Sequence, residues 1–149
     1  MNKKTNSDFI KSYTDSYFLK SKEIIEKNGD ISVTYAVFIR RPGIVALKLA
    51  IDWIKQVAKE RKIKIQTTSP FKEGEYFGAG EPILFIKGSF KHLVDLETLL
   101  LQKIGPACIA AANAYQMCMD LPKTSFIAMD ARHCAGSEMS HLMSYASSV

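Results

Sequence analysis

The sequence lacks the features that mark membrane, secreted or disordered proteins. No run of about eighteen apolar residues occurs in the chain, and no apolar segment follows the lysines of the opening MNKKTNSDFI. Neither a membrane-spanning helix nor a secretion signal is predicted, and we expect a cytoplasmic protein. Repeats and low-complexity tracts are also absent. With 47% hydrophobic residues, the 149-residue chain can bury the core of a globular body.

Cysteine is scarce, and its pattern argues against both disulfides and metal. The three cysteines form an odd set, and Cys108 and Cys118 lie in an Ala- and Met-rich helical stretch, where cysteine behaves as a small hydrophobic residue. We expect reduced, buried thiols. A zinc site needs four ligands at a recognisable spacing, whereas His133 beside Cys134 is a single adjacent pair. No metal site is predicted.

The apolar periodicity predicts a mixture of helices and strands. Asn28-Gly29 ends the first helical pattern, and Pro42 bounds a stretch rich in β-branched and aromatic residues that predicts a buried strand. The predicted elements are a helix over 14–29, strands over 31–40 and 62–68, a helix over 44–59, a hairpin-like pattern over 71–90, one kinked helix or two over 93–119, a strand at 124–130 and a helix from 137.

Positive charge is concentrated in the first half of the chain. Residues 1–72 contain 15 basic and 7 acidic residues, whereas residues 73–149 contain 5 and 8. A basic half can attract phosphates or nucleic acid, but these lysines are not interleaved with aromatic residues as in RNA-binding surfaces. A solvated face explains them more simply, and a nucleic-acid-binding domain ranks as the third of three functional hypotheses.

The stretch TSFIAMDARHCAG, residues 124–136, combines an apolar run with a cluster of ionisable residues. An apolar strand, a polar loop and an amphipathic helix form a β/α unit, and ligands of such units bind beyond the carboxyl end of the strand. Asp130, Arg132 and His133 occupy that position. An arginine offers paired donors to a carboxylate or phosphate, so the loop suits an anion. A structural alternative stays open, in which Arg132 pairs with Asp130 at the surface.

Several motifs in order resemble the nicotinate phosphoribosyltransferase family. They are TDSYF near the start, GAGEPILFIKGSF, the ETLLL segment of the following helix, and DARHCAG. The DARH loop is also similar to the D-T-R-K loop of the related quinolinate enzymes. The resemblance covers residues 14–149. It implies an α+β fold, in which an N-terminal α/β domain of a phosphoribosyltransferase (residues 14–122) precedes the first strand and helix of an incomplete β/α barrel (residues 123–149).

The resemblance implies a reaction that joins nicotinate to 5-phosphoribosyl-1-diphosphate, with ATP and Mg²⁺ assisting, to form nicotinate mononucleotide for NAD biosynthesis. It also implies that Arg132 binds the nicotinate carboxylate or the ribose phosphate, with His133 and Asp130 beside it. His133 stands where the family more often has a second arginine. Tyr17 would approach the pyridine ring across a dimer interface.

Family members are much longer, so the resemblance implies a truncated or split enzyme that is inactive alone. We therefore expect substrate-binding residues but no complete catalytic set, and no cofactor bound by this chain itself. A homodimer or a complementing chain is expected, and another polypeptide would have to supply the remaining barrel. The second hypothesis is a non-catalytic binding or regulatory module that pairs with an intact relative. Residues 1–13 are predicted to form a disordered tail.

Overall fold

The structure, a computed structural model, describes residues 6–149, without the side chains of Asn6, Asp130 and Ala131. The helices are α1 (Asn6–Tyr13), α2 (Ser16–Asn28), α3 (Lys48–Arg61), α4 (Phe90–Leu93), α5 (Glu97–Asp120), α6 (Asp130–His133) and α7 (Ser137–Ser148). The strands are β1 (Ser32–Phe38), β2 (Gly43–Ile44), β3 (Ile65–Thr68), β4 (Tyr76–Phe77) and β5 (Pro82–Ser89). This is the mixed α/β architecture that the sequence predicts for an N-terminal phosphoribosyltransferase domain.

The main sheet is antiparallel, with strand order β1-β5-β3. Alternation along β1 turns Val33, Tyr35 and Val37 toward the core and exposes the residues between them. The central strand β5 buries Ile83, Leu84 and Ile86 completely. Period-2 alternation, as along β1, is what an antiparallel sheet with one covered face requires.

The segment over 71–90 does not form the hairpin that its glycines predict. β4 pairs with β2, with Gly43 opposite Phe77 and Ile44 opposite Tyr76, whereas β5 pairs with β1 and β3. Gly43 is essential to this arrangement, since a Cβ atom there would lie 2.8 Å from the ring atom Cζ of Phe77. The turn residues between β4 and β5 were read correctly, but their strands belong to two different sheets.

The core lies between the sheet and helices α3 and α5. Helix α5 continues through Pro106 as one helix, so of the two predictions for residues 93–119 the single helix is the one observed. Its buried side includes Leu100, Ile104 and Cys108, and α3 contributes Ile54 and Val57. Burial of such side chains supplies most of the stabilisation of a domain of this size.

Residues 6–13 form helix α1, in contrast to the disordered tail predicted for residues 1–13; residues 1–5 lie outside the described part. Ile10 is 1% exposed and joins the core. Thr14, just after α1, donates from Oγ1 to the carbonyl oxygens of Ile10 (2.7 Å) and Asp95 (2.9 Å). The segment is ordered because one apolar side chain and one buried hydroxyl anchor it.

Helix α7 packs against α5 and buries Leu142 and Ala146 in the same core. Its Tyr145 hydroxyl donates to Glu73 and accepts the backbone N–H of Lys48 at 3.0 Å, while Glu73 Oε1 accepts the N–H of Leu47 at 2.9 Å. These bonds satisfy free donors at the start of α3. The division into domains at residue 122 stays a prediction, since α7 shares the core of the preceding residues.

Candidate functional site

The predicted strand before the ionisable loop is absent. Residues 124–129 have no regular structure, and Ile127 is 84% exposed. A strand must pair its backbone N–H and C=O groups with a neighbouring strand. Among the described residues neither sheet extends to this segment, and its apolar residues therefore remain uncovered. The β/α unit predicted from residues 124–149 is wrong in its strand and right in its helix α7.

Arg132 and His133 lie on the one-turn helix α6, and both are exposed. The Arg132 backbone N–H donates to the Met129 carbonyl at 3.3 Å. Among the described side chains none forms a hydrogen bond or ion pair with the Arg132 guanidinium. Asp130 begins α6, but its side chain lies outside the described part, and so does its predicted pairing with Arg132. Because the strand is missing, the Arg132 side chain is presented from a surface turn and not from the rim of a sheet.

Tyr17, the fourth predicted substrate-binding residue, lies on α2 and is 58% exposed. Its ring packs on Phe18, with the ring centroids 4.1 Å apart. Desolvation raises the pKa of the Tyr17 hydroxyl above its ordinary value, and the carboxylates of Asp15 and Glu97 add to the rise. Tyr17 therefore lies on a different helix from Asp130, Arg132 and His133. The charges near its hydroxyl are those of two carboxylates.

Two of the segments that carry the resemblance, TDSYF and ETLLL, contact each other in the fold. The Thr98 hydroxyl donates to Asp15 Oδ2 at 3.2 Å and accepts the Asp15 backbone N–H at 3.3 Å. Burial, and secondly the charge of Asp15, raises the pKa of Glu97. Residue-by-residue reasoning missed Thr98 and Glu97. The available signal was the ETLLL motif itself, in which the polar residues Glu97 and Thr98 precede three leucines.

Asp95 forms two ion pairs close to the contact between TDSYF and ETLLL. Its carboxylate is 7% exposed and forms ion pairs with Lys22 Nζ (2.5 Å) and Arg61 Nη1 (2.8 Å). The three residues join α2, the end of α3 and the turn before α5. A nearly buried carboxylate with two cationic partners is satisfied within the fold, so we assign Asp95 a structural role.

A groove of about 500 Å³ lies next to the loop that follows α6. Its walls come from α1, α3, α5 and α7 together with Ala135. The Lys103 ammonium sits 5.6 Å from the ring centroid of Trp53 and pairs with Glu138. Because Lys103 is paired with Glu138, the described lining of the groove offers an apolar wall and no unpaired lysine or arginine for a phosphate.

The three cysteines are free thiols, and they differ in how far they are buried. Cys108 is buried, which raises the pKa of its thiol to about 11 and keeps it unreactive at neutral pH. Cys118 is exposed, contrary to the prediction of buried thiols, because the last turns of α5 extend beyond the core. Among the described residues no group of three or more His, Cys, Asp or Glu side chains could hold a metal ion. In the same residues no helix is long and apolar enough to cross a membrane.

Solved structures share this fold with the chain over most of its length. The nicotinate-nucleotide pyrophosphorylase of Pyrococcus furiosus is 28% identical, with a TM-score of 0.63 over 82% of this chain. Human nicotinic acid phosphoribosyltransferase is 17% identical, with a TM-score of 0.73 over 91% of this chain, and the Ehrlichia chaffeensis nicotinate-nucleotide pyrophosphorylase is 17% identical, with a TM-score of 0.63 over 99%. No curated protein matches the chain significantly.

The chain spans only part of these relatives: 33% of the Pyrococcus protein, 34% of the human protein and 53% of the Ehrlichia protein. The model of the quinolinate phosphoribosyl transferase N-terminal domain matches residues 13–108, from α1 to the middle of α5. The predicted kinship with pyridine phosphoribosyltransferases is thus confirmed, but the matching family is the quinolinate one and not the nicotinate one. The chain belongs to the quinolinate phosphoribosyl transferase N-terminal domain family.

Proposed function

We propose that this chain serves as the N-terminal part of a phosphoribosyltransferase of NAD biosynthesis, which joins a pyridine carboxylate to 5-phosphoribosyl-1-diphosphate. The observation that carries the proposal is the family match over residues 13–108. In such a reaction the ribosyl centre becomes cationic as diphosphate leaves, so positioned cations and donors stabilise the departing charge. Quinolinate is the base that the family favours.

Arg132 is the residue to which we assign the anion. Its guanidinium is exposed and, among the described side chains, engaged by no acid, so it can clasp a carboxylate or a ribose phosphate with two parallel N–H donors. His133 and Asp130 lie on the same turn and would complete the contact. Tyr17, on an exposed face of α2, would reach a base bound by another subunit or chain.

Nicotinate is the second candidate base, because the order of the TDSYF, GEP and ETLLL motifs follows the nicotinate enzymes. That reaction would involve ATP and Mg²⁺ in the complete enzyme. The described residues contain no cluster of three metal ligands, so we derive no step through Mg²⁺. A non-catalytic module that pairs with an intact relative is the alternative to both reactions, and it shares the same exposed residues.

A chimera tests the proposal. Residues 13–108 would replace the corresponding domain of the Pyrococcus relative, and the formation of nicotinate mononucleotide would be measured. With quinolinate the reaction must release CO2 from one of the two carboxylates as well as diphosphate, whereas with nicotinate, tested with and without ATP, it releases diphosphate and no CO2. We expect product from quinolinate without ATP, and no product from the unmodified chain alone. Product from nicotinate, with none from quinolinate, would support the nicotinate reaction instead. A folded chimera that is inactive with both bases would contradict the proposal.

The role of Arg132 is tested separately by calorimetric titration of quinolinate and phosphoribosyl diphosphate into the full chain. We expect Arg132→Glu to abolish the binding of at least one of them. Arg41→Glu makes the same charge change at another exposed arginine and should leave binding within about twofold. Equal loss in both variants, or no effect of Arg132→Glu, would remove this residue from the site.

A further inference from the structure

A second surface of the chain carries free positive charge. Lys62, Lys64, Lys87 and His92 surround a hollow of about 530 Å³, here called the basic hollow. Lys62 follows the last residue of α3, Lys64 precedes β3, Lys87 is on the central strand β5, and His92 is on α4. Two stretches that are distant in sequence, 62–64 and 87–92, thus bring cationic or potentially cationic side chains to one place.

The lysines of the basic hollow do not contribute ion pairs to the described part of the fold. Within residues 6–149 the ammonium groups of Lys62, Lys64 and Lys87 form no ion pair, whereas Lys22, Lys48, Lys91 and Lys103 each have a carboxylate partner. No acidic residue lines the hollow. The Asp30 carboxylate accepts hydrogen bonds from the hydroxyl of Ser89, which lines the hollow, and from the Lys91 backbone N–H. These hydrogen bonds and the charge of His92 lower the pKa of Asp30.

Helix electrostatics do not explain these positions fully. Lys62 follows the carbonyl end of α3, where a cation is favourable for the helix. Lys64 and Lys87 are outside any helix, and cross-strand pairing places Lys87 between Thr34 and Gln66. Like charges that converge without a counter-charge raise the local positive potential, which attracts a multivalent anion.

The other lining groups are suited to phosphate oxygens. Ser32 and Gln66 add a hydroxyl and an amide donor beside the lysines. The antiparallel register sets Ser32 opposite Ser89 and Gln66 opposite Lys87, so that these residues share one face of the sheet.

We propose that the basic hollow binds a polyphosphate group, that is, two or more linked phosphates, as found in inorganic pyrophosphate, in tripolyphosphate and in nucleotides. Three unpaired ammonium groups match two or more closely spaced phosphates better than one. This site shares no residue with Tyr17 or with α6, and it does not depend on the function proposed above. The hollow lies at the surface, so we expect its ligand to be bound mainly by electrostatic attraction, which weakens as the salt concentration rises.

Calorimetric titration of sodium tripolyphosphate, pyrophosphate and monophosphate into the full chain at low ionic strength tests the proposal. We expect affinity to increase from monophosphate to tripolyphosphate. The Lys64→Gln/Lys87→Gln double variant should weaken tripolyphosphate binding by about tenfold or more, because two of the three lysine charges are lost. A nucleoside triphosphate should bind like tripolyphosphate if the phosphates alone are recognised, and more tightly if the nucleoside contributes.

The matched control is Lys20→Gln/Lys27→Gln, which removes the same charge from exposed positions on α2. Binding in this control should stay within about twofold of the parent, and thermal unfolding verifies that both double variants are folded. Equal weakening in both would show only diffuse attraction and overturn the site. No detectable binding of any phosphate would also overturn it. So would a short single-stranded DNA that binds through Lys64 and Lys87 more tightly than tripolyphosphate at equal phosphate concentration.

Discussion

Residues 6–108 and residues 109–149 use their apolar side chains differently. In the first region apolar residues at helical and strand spacing are buried, from Ile10 to Cys108. In the second, Ala111, Leu142 and Ala146 are the apolar residues buried among the described side chains, while a series of large apolar residues stays exposed: Ile109, Tyr115, Met117, Met119, Leu121, Phe126, Ile127 and Met129. The first region also exposes large apolar residues, such as Tyr17, Tyr76 and Leu101, but they are spread over a longer stretch of chain. The family model matches residues 13–108, which lie within the first region.

The difference shows that a periodic pattern predicts an element more reliably than it predicts the partner of that element. Helix α5 has one continuous pattern, but its first half packs on the core and its last turns extend away from it. Contiguous exposed apolar surface marks an interaction site more often than chance placement does. Large exposed apolar residues are more frequent along the second region than along the first.

The largest expected effect compares one substitution in the two regions. Ile54→Ala removes a side chain that is fully buried, and it should lower the free energy of unfolding by about 3 kcal/mol through lost burial and the cavity left behind. Ile127→Ala makes the same change at a side chain that is 84% exposed and should stay within about 0.5 kcal/mol. Urea unfolding measures both. Similar losses would mean that residue 127 is buried in solution.

Asp95→Ala tests the ionic anchor within the first region. It leaves Lys22 and Arg61 without their carboxylate, and both cations are mostly covered. We expect a loss of about 2 kcal/mol, less than for a fully buried pair because solvent still reaches both partners. Asp52→Ala breaks the exposed Lys48–Asp52 pair and should cost less than about 0.5 kcal/mol. Equal unfolding midpoints for the two variants would contradict the structural role of Asp95.

Tyr145→Phe measures how firmly the second region is joined to the first. The change removes the hydroxyl that bonds to Glu73 and to the Lys48 N–H, but it keeps the ring. We expect a loss of about 1 kcal/mol and faster amide exchange in the first turn of α3. Tyr115→Phe removes an exposed hydroxyl from α5 and is the control. Unchanged exchange at Lys48 would show that α7 does not cap α3.

The smallest expected effect is the pH dependence of Glu97. Its folded pKa is raised above the ordinary value of 4.5, so the folded protein binds this proton more tightly than the unfolded chain does. Glu97 therefore costs stability above its folded pKa, and the cost disappears as the pH falls through the folded value toward 4.5. Glu97→Gln should stabilise the protein by a few tenths of a kcal/mol at pH 7 and by nothing near pH 4. A difference that is constant over urea midpoints from pH 4 to 8 would contradict this assignment.

Much of the fold could be predicted from the sequence because local patterns determine it. The stop at Asn28-Gly29, the β-branched run of β1 and the amphipathic pattern of α3 each appear within a few residues of their predicted places. The pairing of β4 with β2 could not be predicted, since it depends on a contact between Gly43 and Phe77 across the chain. The strand at 124–130 failed for a related reason: an apolar run specifies a strand only where a neighbouring strand can pair with it.

The candidate site was predicted by chemistry more than by geometry. Arg132 and His133 were identified by residue type, and their exposure leaves their proposed roles open to test. Thr98 and Glu97 were missed because their significance lies in contact with Asp15, more than eighty positions earlier. The residue types within one motif can indicate an anion-binding role from the sequence. A contact between two motifs can be recognised only in the folded structure.

The position of Trp53 has a practical consequence. It is the single tryptophan of the chain, it lines the groove between α1, α3, α5 and α7, and the Lys103 ammonium lies 5.6 Å from its ring. Indole emission from this protein therefore has one source. A shift in its wavelength or lifetime would report the release of α7 or the entry of a small aromatic compound, with no dye attached and no background from elsewhere in the molecule.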